Sequence, residues 1–134
     1  MSQENVEIVR QYVDAWNRRD SDAMRGLLAA DVELDRSRSI GPDPRIYWGL
    51  AEAEEFWAEW QSIWEKYRSE VDELIDAGDD VVALGRFRGR GLTSGAVVEG
   101  NIAQVLTVRN GRIARICLFQ SRNEAFEAAG LEGE

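Results

Sequence analysis

The segment Val97–Ser121, VVEGNIAQVLTVRNGRIARICLFQS, decides the fold. Asn110-Gly111 tolerates positive φ at both positions, as a two-residue type I′ turn demands, and both flanks are rich in β-branched and apolar residues. A hairpin turning there sets Arg109 opposite Arg112, and the remaining pairs follow by stepping outward. One face then reads Thr107/Ala114, Val105/Ile116, Ala103/Leu118 and Asn101/Gln120. The other reads Val108/Ile113, Leu106/Arg115, Gln104/Cys117 and Ile102/Phe119. The first face is small and dry until its two terminal carboxamides, so it is expected to line an interior. The second is expected to be half exposed or to meet a partner.

Upstream of the hairpin, Leu92–Ala96 reads as a turn, and Arg68–Asp76 and Val81–Gly91 read as strands around Gly78-Asp79-Asp80. A three-residue loop would set Ile75 opposite Ala83 and Val71 opposite Phe87. Asp72 would then face Arg86, and Glu70 would face Arg88. In that register the row Arg86, Arg88, Arg90 needs no anionic ligand. Cross-strand acids neutralise it as exposed ion pairs worth about 0–1 kcal/mol each.

Leu50–Tyr67 has helical spacing, with Ala53, Phe56, Trp57, Trp60, Ile63, Trp64 and Tyr67 on one broad face. Aromatic stripes of this kind usually serve burial, while Trp57 or Trp60 is also placed to wall a ligand cavity. Asp31–Arg36 alternates as a short strand, with Val32, Leu34 and Arg36 on one side and Glu33 and Asp35 on the other. Residues 37–45, with both prolines and Gly41, form a loop. Ser2 is expected to cap a helix over residues 3–18, whose stripe is Val6, Val9, Val13 and Trp16, flanked by Ile8, Tyr12 and Ala15. Asp20 or Ser21 caps a short second helix with Met24, Leu27 and Leu28 inward. After Ser121, residues 123–129 form a short helix closed by Gly130, with Leu131 folding back. Helices followed by a run of strands imply an α+β domain, its helices on one face of a strongly curved sheet.

At 134 residues the chain suits one core. Sixteen basic against 25 acidic residues give a net charge of −9, and Lys66 is the only lysine. That balance repels phosphate backbones and anionic lipid, so neither nucleic acid nor membrane is expected as a partner. Cys117 is alone, the polar start lacks the features of a signal peptide, and no apolar run is long enough to span a bilayer, which together read as a cytoplasmic protein. The chain has no histidine, which removes Ser-His-Asp and Cys-His catalysis and the commonest transition-metal ligand. No spaced acidic calcium loop is present, so no metal and no cofactor are expected.

The element order and several local motifs resemble the SnoaL-like branch of the nuclear transport factor 2-like superfamily. That superfamily includes ketosteroid isomerases, polyketide cyclases and limonene epoxide hydrolases. The carriers are Tyr12-Val13-Asp14-Ala15-Trp16-Asn17-Arg18-Arg19-Asp20, Leu27-Leu28-Ala29-Ala30-Asp31-Val32, Tyr47-Trp48-Gly49, the Asn110-Gly111-Arg112-Ile113 tip and Ala128-Ala129-Gly130-Leu131. The resemblance implies one SnoaL-like domain over residues 1–134, cone-shaped, with a mostly antiparallel sheet wrapped around three N-terminal helices and a short C-terminal helix. It further implies a deep apolar pocket and a homodimer through the sheet, for which Ile102, Leu106 and Phe119 are the candidate surface. By resemblance to ketosteroid isomerase, Tyr12 matches the oxyanion tyrosine. Arg36 stands where that enzyme has its aspartate base. Ala103 occupies the position of its protonated acid, or Gln104 if the hairpin slips by one residue. Leu118 stands where the epoxide hydrolases need an acid, and no inward acid–base partner of the cyclase type is found.

The residues expected to meet in the pocket are Tyr12 and Arg36 as candidate catalytic groups, Asn101 and Gln120 as orienting carboxamides, and Trp48, Trp57, Trp60, Phe87, Ala103 and Leu118 as apolar walls. An apolar cavity with a few polar groups at one end suits a small apolar or amphipathic molecule carrying a carboxylate or carbonyl. Three roles follow. The first is a ligand-binding protein. The second is an isomerase, cyclase or hydratase using Tyr12 and Arg36 for oxyanion stabilisation and an unrecognised carboxylate or water as base, with Asp35 and Glu99 near the pocket mouth but not placed inward. The third is a structural or protein-binding module with a filled core.

Overall fold

A computed structural model describes residues 2–39 and 44–131. In chain order these form α1 (Ser2–Arg18), α2 (Ser21–Leu27), β1 (Leu28–Asp35), β2 (Ile46–Trp48), α3 (Gly49–Ile63), β3 (Trp64–Ala77), β4 (Asp80–Gly91), β5 (Val97–Arg109), β6 (Arg112–Leu118) and α4 (Arg122–Ala128). The strands make one curved, unclosed sheet in the order β2-β1-β6-β5-β4-β3, antiparallel except where β1 meets β6. The α+β class and the helix-then-strand order expected from the sequence are both observed. The expected Ser2 cap rests on a side chain outside the described residues, as do residues 40–43 of the expected loop.

Helix α1 buries Val6, Val9, Tyr12 and Ala15 against the sheet, following its apolar spacing. It ends with Arg19 in the left-handed region (φ 59°), where the Asp20 N–H reaches the Ala15 carbonyl. Glycine would adopt that conformation more easily. Arg19 is held instead by its guanidinium, 4.6 Å from the Tyr67 ring centroid and bonded to the Glu65 carbonyl at 3.3 Å. Asp20 caps α2 by accepting from Ala23 N at 3.0 Å.

Edge strand β3 exposes unpaired backbone, which α1 covers. Asn17 Nδ2 donates to the Ser69 carbonyl at 2.9 Å, and Ser69 N donates to Asn17 Oδ1 at 2.8 Å. Asn17→Ala removes both bonds, and a loss of about 2 kcal/mol is expected in a urea denaturation midpoint measured at constant m.

Three departures from the sequence reading have physical causes. First, α3 stops at Ile63, four residues before the aromatic stripe ends. Trp64 pairs with Gly91 of β4, and the Leu92 N–H takes the Ile63 carbonyl, so sheet pairing outcompetes the local helical pattern. Second, β3 and β4 turn over Gly78-Asp79 alone, with Ala77 opposite Asp80, and Asp72 is bulged out. The register therefore sets Glu70 opposite Arg86, Arg68 opposite Arg88 and Val71 opposite Gly85, so Phe87 faces Ser69 instead of Val71.

The third departure lies in the central hairpin. Asn110 (φ 53°) and Gly111 (φ 77°) make the expected turn, and the Arg109/Arg112 and Val108/Ile113 pairs hold. An extra residue, Ala114, then shifts the ladder to Thr107/Arg115, Leu106/Ile116, Val105/Cys117 and Gln104/Leu118. Leu106, Val108, Ile113 and Ile116 sit under the helices. Ala103 and Val105, expected to face that interior, lie on the opposite face with Cys117, Phe119 and Phe126 of α4. Both faces of this part of the sheet are buried, so apolar alternation could not distinguish them. Leu106, 1% exposed beneath the helices, and Phe119, packed in the α4-side cluster, therefore share no surface with each other, and the expected dimer patch is not assembled.

Candidate functional site

Arg36 follows β1, and its N–H bonds to the Arg45 carbonyl at 3.0 Å, closing the loop between β1 and β2. Alternation along β1 points its side chain, like that of Leu34, toward the helices. The guanidinium carbon lies 4.5 Å from the Phe56 ring centroid and 5.2 Å from that of Trp60, as a cation on aromatic faces. Among the described residues no carboxylate lies within ion-pair distance of it. Burial lowers its pKa from the usual arginine range, partly offset by the Tyr47 and Tyr12 phenols, and the group remains a cation.

Trp60 is the hub of the surrounding ring cluster. Its centroid is 5.8 Å from Trp16, 5.6 Å from Phe56, 5.5 Å from Trp64 and 5.3 Å from Phe87. The rings come from α1, α3, β3 and β4, so only the tertiary fold brings them together. Trp64 can lie on β4 because residue 89 is glycine, where a Cβ would stand 2.8 Å from the indole ring. The indole N–H groups of Trp16, Trp60 and Trp64 are buried without a hydrogen-bonding partner among the described residues.

Tyr12 is 7% exposed within the core beside Trp57, itself 2% exposed. Burial pushes the phenol pKa well above the usual tyrosine range; the neighbouring Trp57 indole and Arg36 charge offset only part of this, so the hydroxyl stays a proton donor. Phe87 and Leu118 are half-buried on the helix side, Leu118 opposite Gln104. Four expected wall or orienting residues are placed elsewhere. Trp48 is 57% exposed on β2. Ala103 is buried under α4. Asn101 is exposed opposite Arg86. Gln120 is exposed, its Nε2 donating to the Arg38 carbonyl. In their place the fold brings Gln104 and Ile102, both half-buried, to the helix side of β5. Gln104 was legible only as the one-residue slip of the hairpin, which is the slip that the Ala114 bulge produces. Gly100, opposite Phe87, opens this surface toward solvent, since a Cβ there would meet nothing within 4 Å.

The two carboxylates weighed as bases face away. Glu99 pairs with Arg88 at 3.3 Å on the outer face. Asp35, 4% exposed, accepts from Ser37 N at 3.0 Å and Ser37 Oγ at 2.6 Å, with Arg38 at 3.4 Å and Arg115 at 3.5 Å. It is a clamp on the turn that follows Arg36. Burial alone would raise its pKa, yet the Ser37 hydroxyl and amide and the Arg38 charge hold the carboxyl below its ordinary value of 3.8. A depressed folded pKa stabilises the protein above the unfolded value and is lost as pH falls through the folded one. Asp35→Asn is therefore expected to cost about 2 kcal/mol at pH 7, a gap that narrows below about pH 4 in urea titrations at several pH values.

Among the described residues no helix is long and apolar enough to cross a membrane, and no three of His, Cys, Asp and Glu converge as a metal site. Comparison with solved structures finds similar folds at low identity. The chain is similar to an NTF2-like protein of unknown function from Burkholderia pseudomallei, with 24% identity over 92% of this chain and 95% of the other, and a TM-score of 0.78. It is similar to TerC, co-crystallised with polyporic acid, with 20% identity over 95% and 98% of the two chains and a TM-score of 0.77. A protein with a ketosteroid isomerase-like fold from Catenulispora acidiphila, in complex with trimethylamine, shows 20% identity over 94% of both chains and a TM-score of 0.75. No curated protein matches significantly. The family model for the SnoaL-like domain matches residues 9–116, which run from α1 through the bulged strand β6, and the chain belongs to that family.

Proposed function

We propose that this protein binds a small, flat, largely apolar molecule bearing one anionic oxygen group, on the helix side of the sheet, with Arg36 pairing that group. The observation that carries this reading is the half-buried Arg36 guanidinium, laid on Phe56 and Trp60 with no acid beside it among the described residues. Desolvating an unpaired cation costs stability, and an anionic ligand would recover it. Gln104, Ile102, Leu118 and the open space over Gly100 supply a floor of mixed polarity leading to the charge. The similar TerC, crystallised with a molecule that is an acid by name, supports the same class. Binding is favoured over turnover because Asp35 and Glu99 both point to the other face, so neither serves as a base beside Tyr12 and Arg36.

Isothermal titration with matched pairs of planar carboxylates and their amides, such as 2-naphthoate and 2-naphthamide, tests this. Carboxylates are expected to bind at least about tenfold more tightly than their amides. Equal binding of both members of each pair would overturn the reading.

A further inference from the structure

Of the two acids expected to neutralise the row Arg86, Arg88, Arg90, Glu70 stands opposite Arg86 and Asp72 is bulged out of the ladder. On the outer face, directly opposed residues form three rows across β3, β4 and β5: Lys66, Arg90, Val97; Arg68, Arg88, Glu99; and Glu70, Arg86, Asn101. Five cations thus share a patch with two acids, in a chain whose net charge is −9. Like charges directly across a ladder repel, so the Lys66/Arg90 and Arg68/Arg88 pairs oppose folding locally. Arg88 reaches Glu99 at 3.3 Å, and Arg90 donates to the Gly95 carbonyl at 3.0 Å. Lys66, Arg68 and Arg86 make no ion pair among the described residues. Lys66, Arg68, Arg88 and Arg90, with Tyr67, Gly89 and Val97, line an open groove of about 450 Å³ whose floor is mostly apolar and whose charges stand at its rim.

We propose that this groove is a second binding site, separate from the Arg36 surface, for a small molecule carrying at least two phosphate or carboxylate groups. The strands carrying the partners of each pair lie roughly 4.8 Å apart and the two pairs are offset by roughly 7 Å of backbone along them, so one anionic group neutralises one pair and leaves the other. Two linked groups satisfy both. The groove volume is that of a small-molecule site, and the acidity of the remaining chain disfavours a long polyphosphate backbone.

The test is isothermal titration of the intact protein with pyrophosphate and, in a parallel arm, citrate. Saturable one-to-one binding of pyrophosphate is expected in 20 mM sodium chloride, weakening at least about tenfold at 200 mM as salt screens exposed charge. Citrate binding as well would assign the site to the charge array, and pyrophosphate binding alone would assign it to phosphate; either supports the site. The Arg68→Gln, Arg88→Gln double variant is expected to lose at least about tenfold in affinity while its urea midpoint holds or rises, because a like-charge pair has been removed. Saturating 2-naphthoate is expected not to displace pyrophosphate, which separates this site from the Arg36 surface. Absence of saturable binding, displacement by 2-naphthoate, or unchanged affinity in the double variant would overturn the proposal.

Discussion

Replacing Arg36 with methionine is expected to stabilise the free protein by about 1 kcal/mol and to weaken binding of a planar carboxylate by about 100-fold. The two effects share one cause. The guanidinium is half-buried, and among the described residues its charge meets the Phe56 and Trp60 faces and the Tyr47 and Tyr12 phenols, with no carboxylate. Those contacts return only part of what desolvation costs, while methionine fills a similar volume without a charge and keeps soft contact with both rings. An anionic ligand reverses the ledger, because a charge-assisted bond in a partly dry site contributes about 1.5–3 kcal/mol. Urea denaturation of the ligand-free protein and calorimetric titration of the same sample read the two quantities separately. A variant less stable than the parent that binds the carboxylate equally well would make Arg36 a structural residue.

Gly85→Ala is expected to be the most damaging single-atom change in the chain, lowering stability by about 3 kcal/mol or more. The Asp72 bulge bends β3 so that the Glu70 carbonyl oxygen would lie 2.0 Å from a Cβ at position 85, with Val71 Cα at 2.8 Å. Both obstacles are backbone, so no side-chain rotation relieves them, and β3 must separate from β4. The ring cluster depends on that junction, since β3 carries Trp64 and Tyr67 and β4 carries Phe87. The variant is therefore expected to lose near-ultraviolet circular dichroism from the tryptophans at lower urea than the parent. A midpoint within 0.5 kcal/mol of the parent would show that the strand pair yields more readily than its geometry implies.

Local chemistry was enough for much of this protein. Asn110-Gly111 set the hairpin tip, Asp20 began α2, Ser121 capped α4 at Glu124 N, and Gly130 (φ 76°) ended it, because each of these depends on a few neighbouring residues. Alternation along Asp31–Arg36 also placed Arg36 and Asp35 on opposite faces as observed, since one side of that strand is apolar and the other acidic. Tertiary structure alone decided which way β5 faces, where α3 ends and which acids meet which arginines. A bulge costs one residue and leaves no local mark, yet it turns over every side chain beyond it, and a sheet buried on both faces gives apolar spacing nothing to choose between. The sequence by itself therefore determined the family, the Asn110-Gly111 tip and the face of β1 toward which Arg36 points. The long-range pairing of strands supplied Gln104 in place of Ala103, removed Asn101 and Gln120 from the interior, and left the outer arginines facing one another.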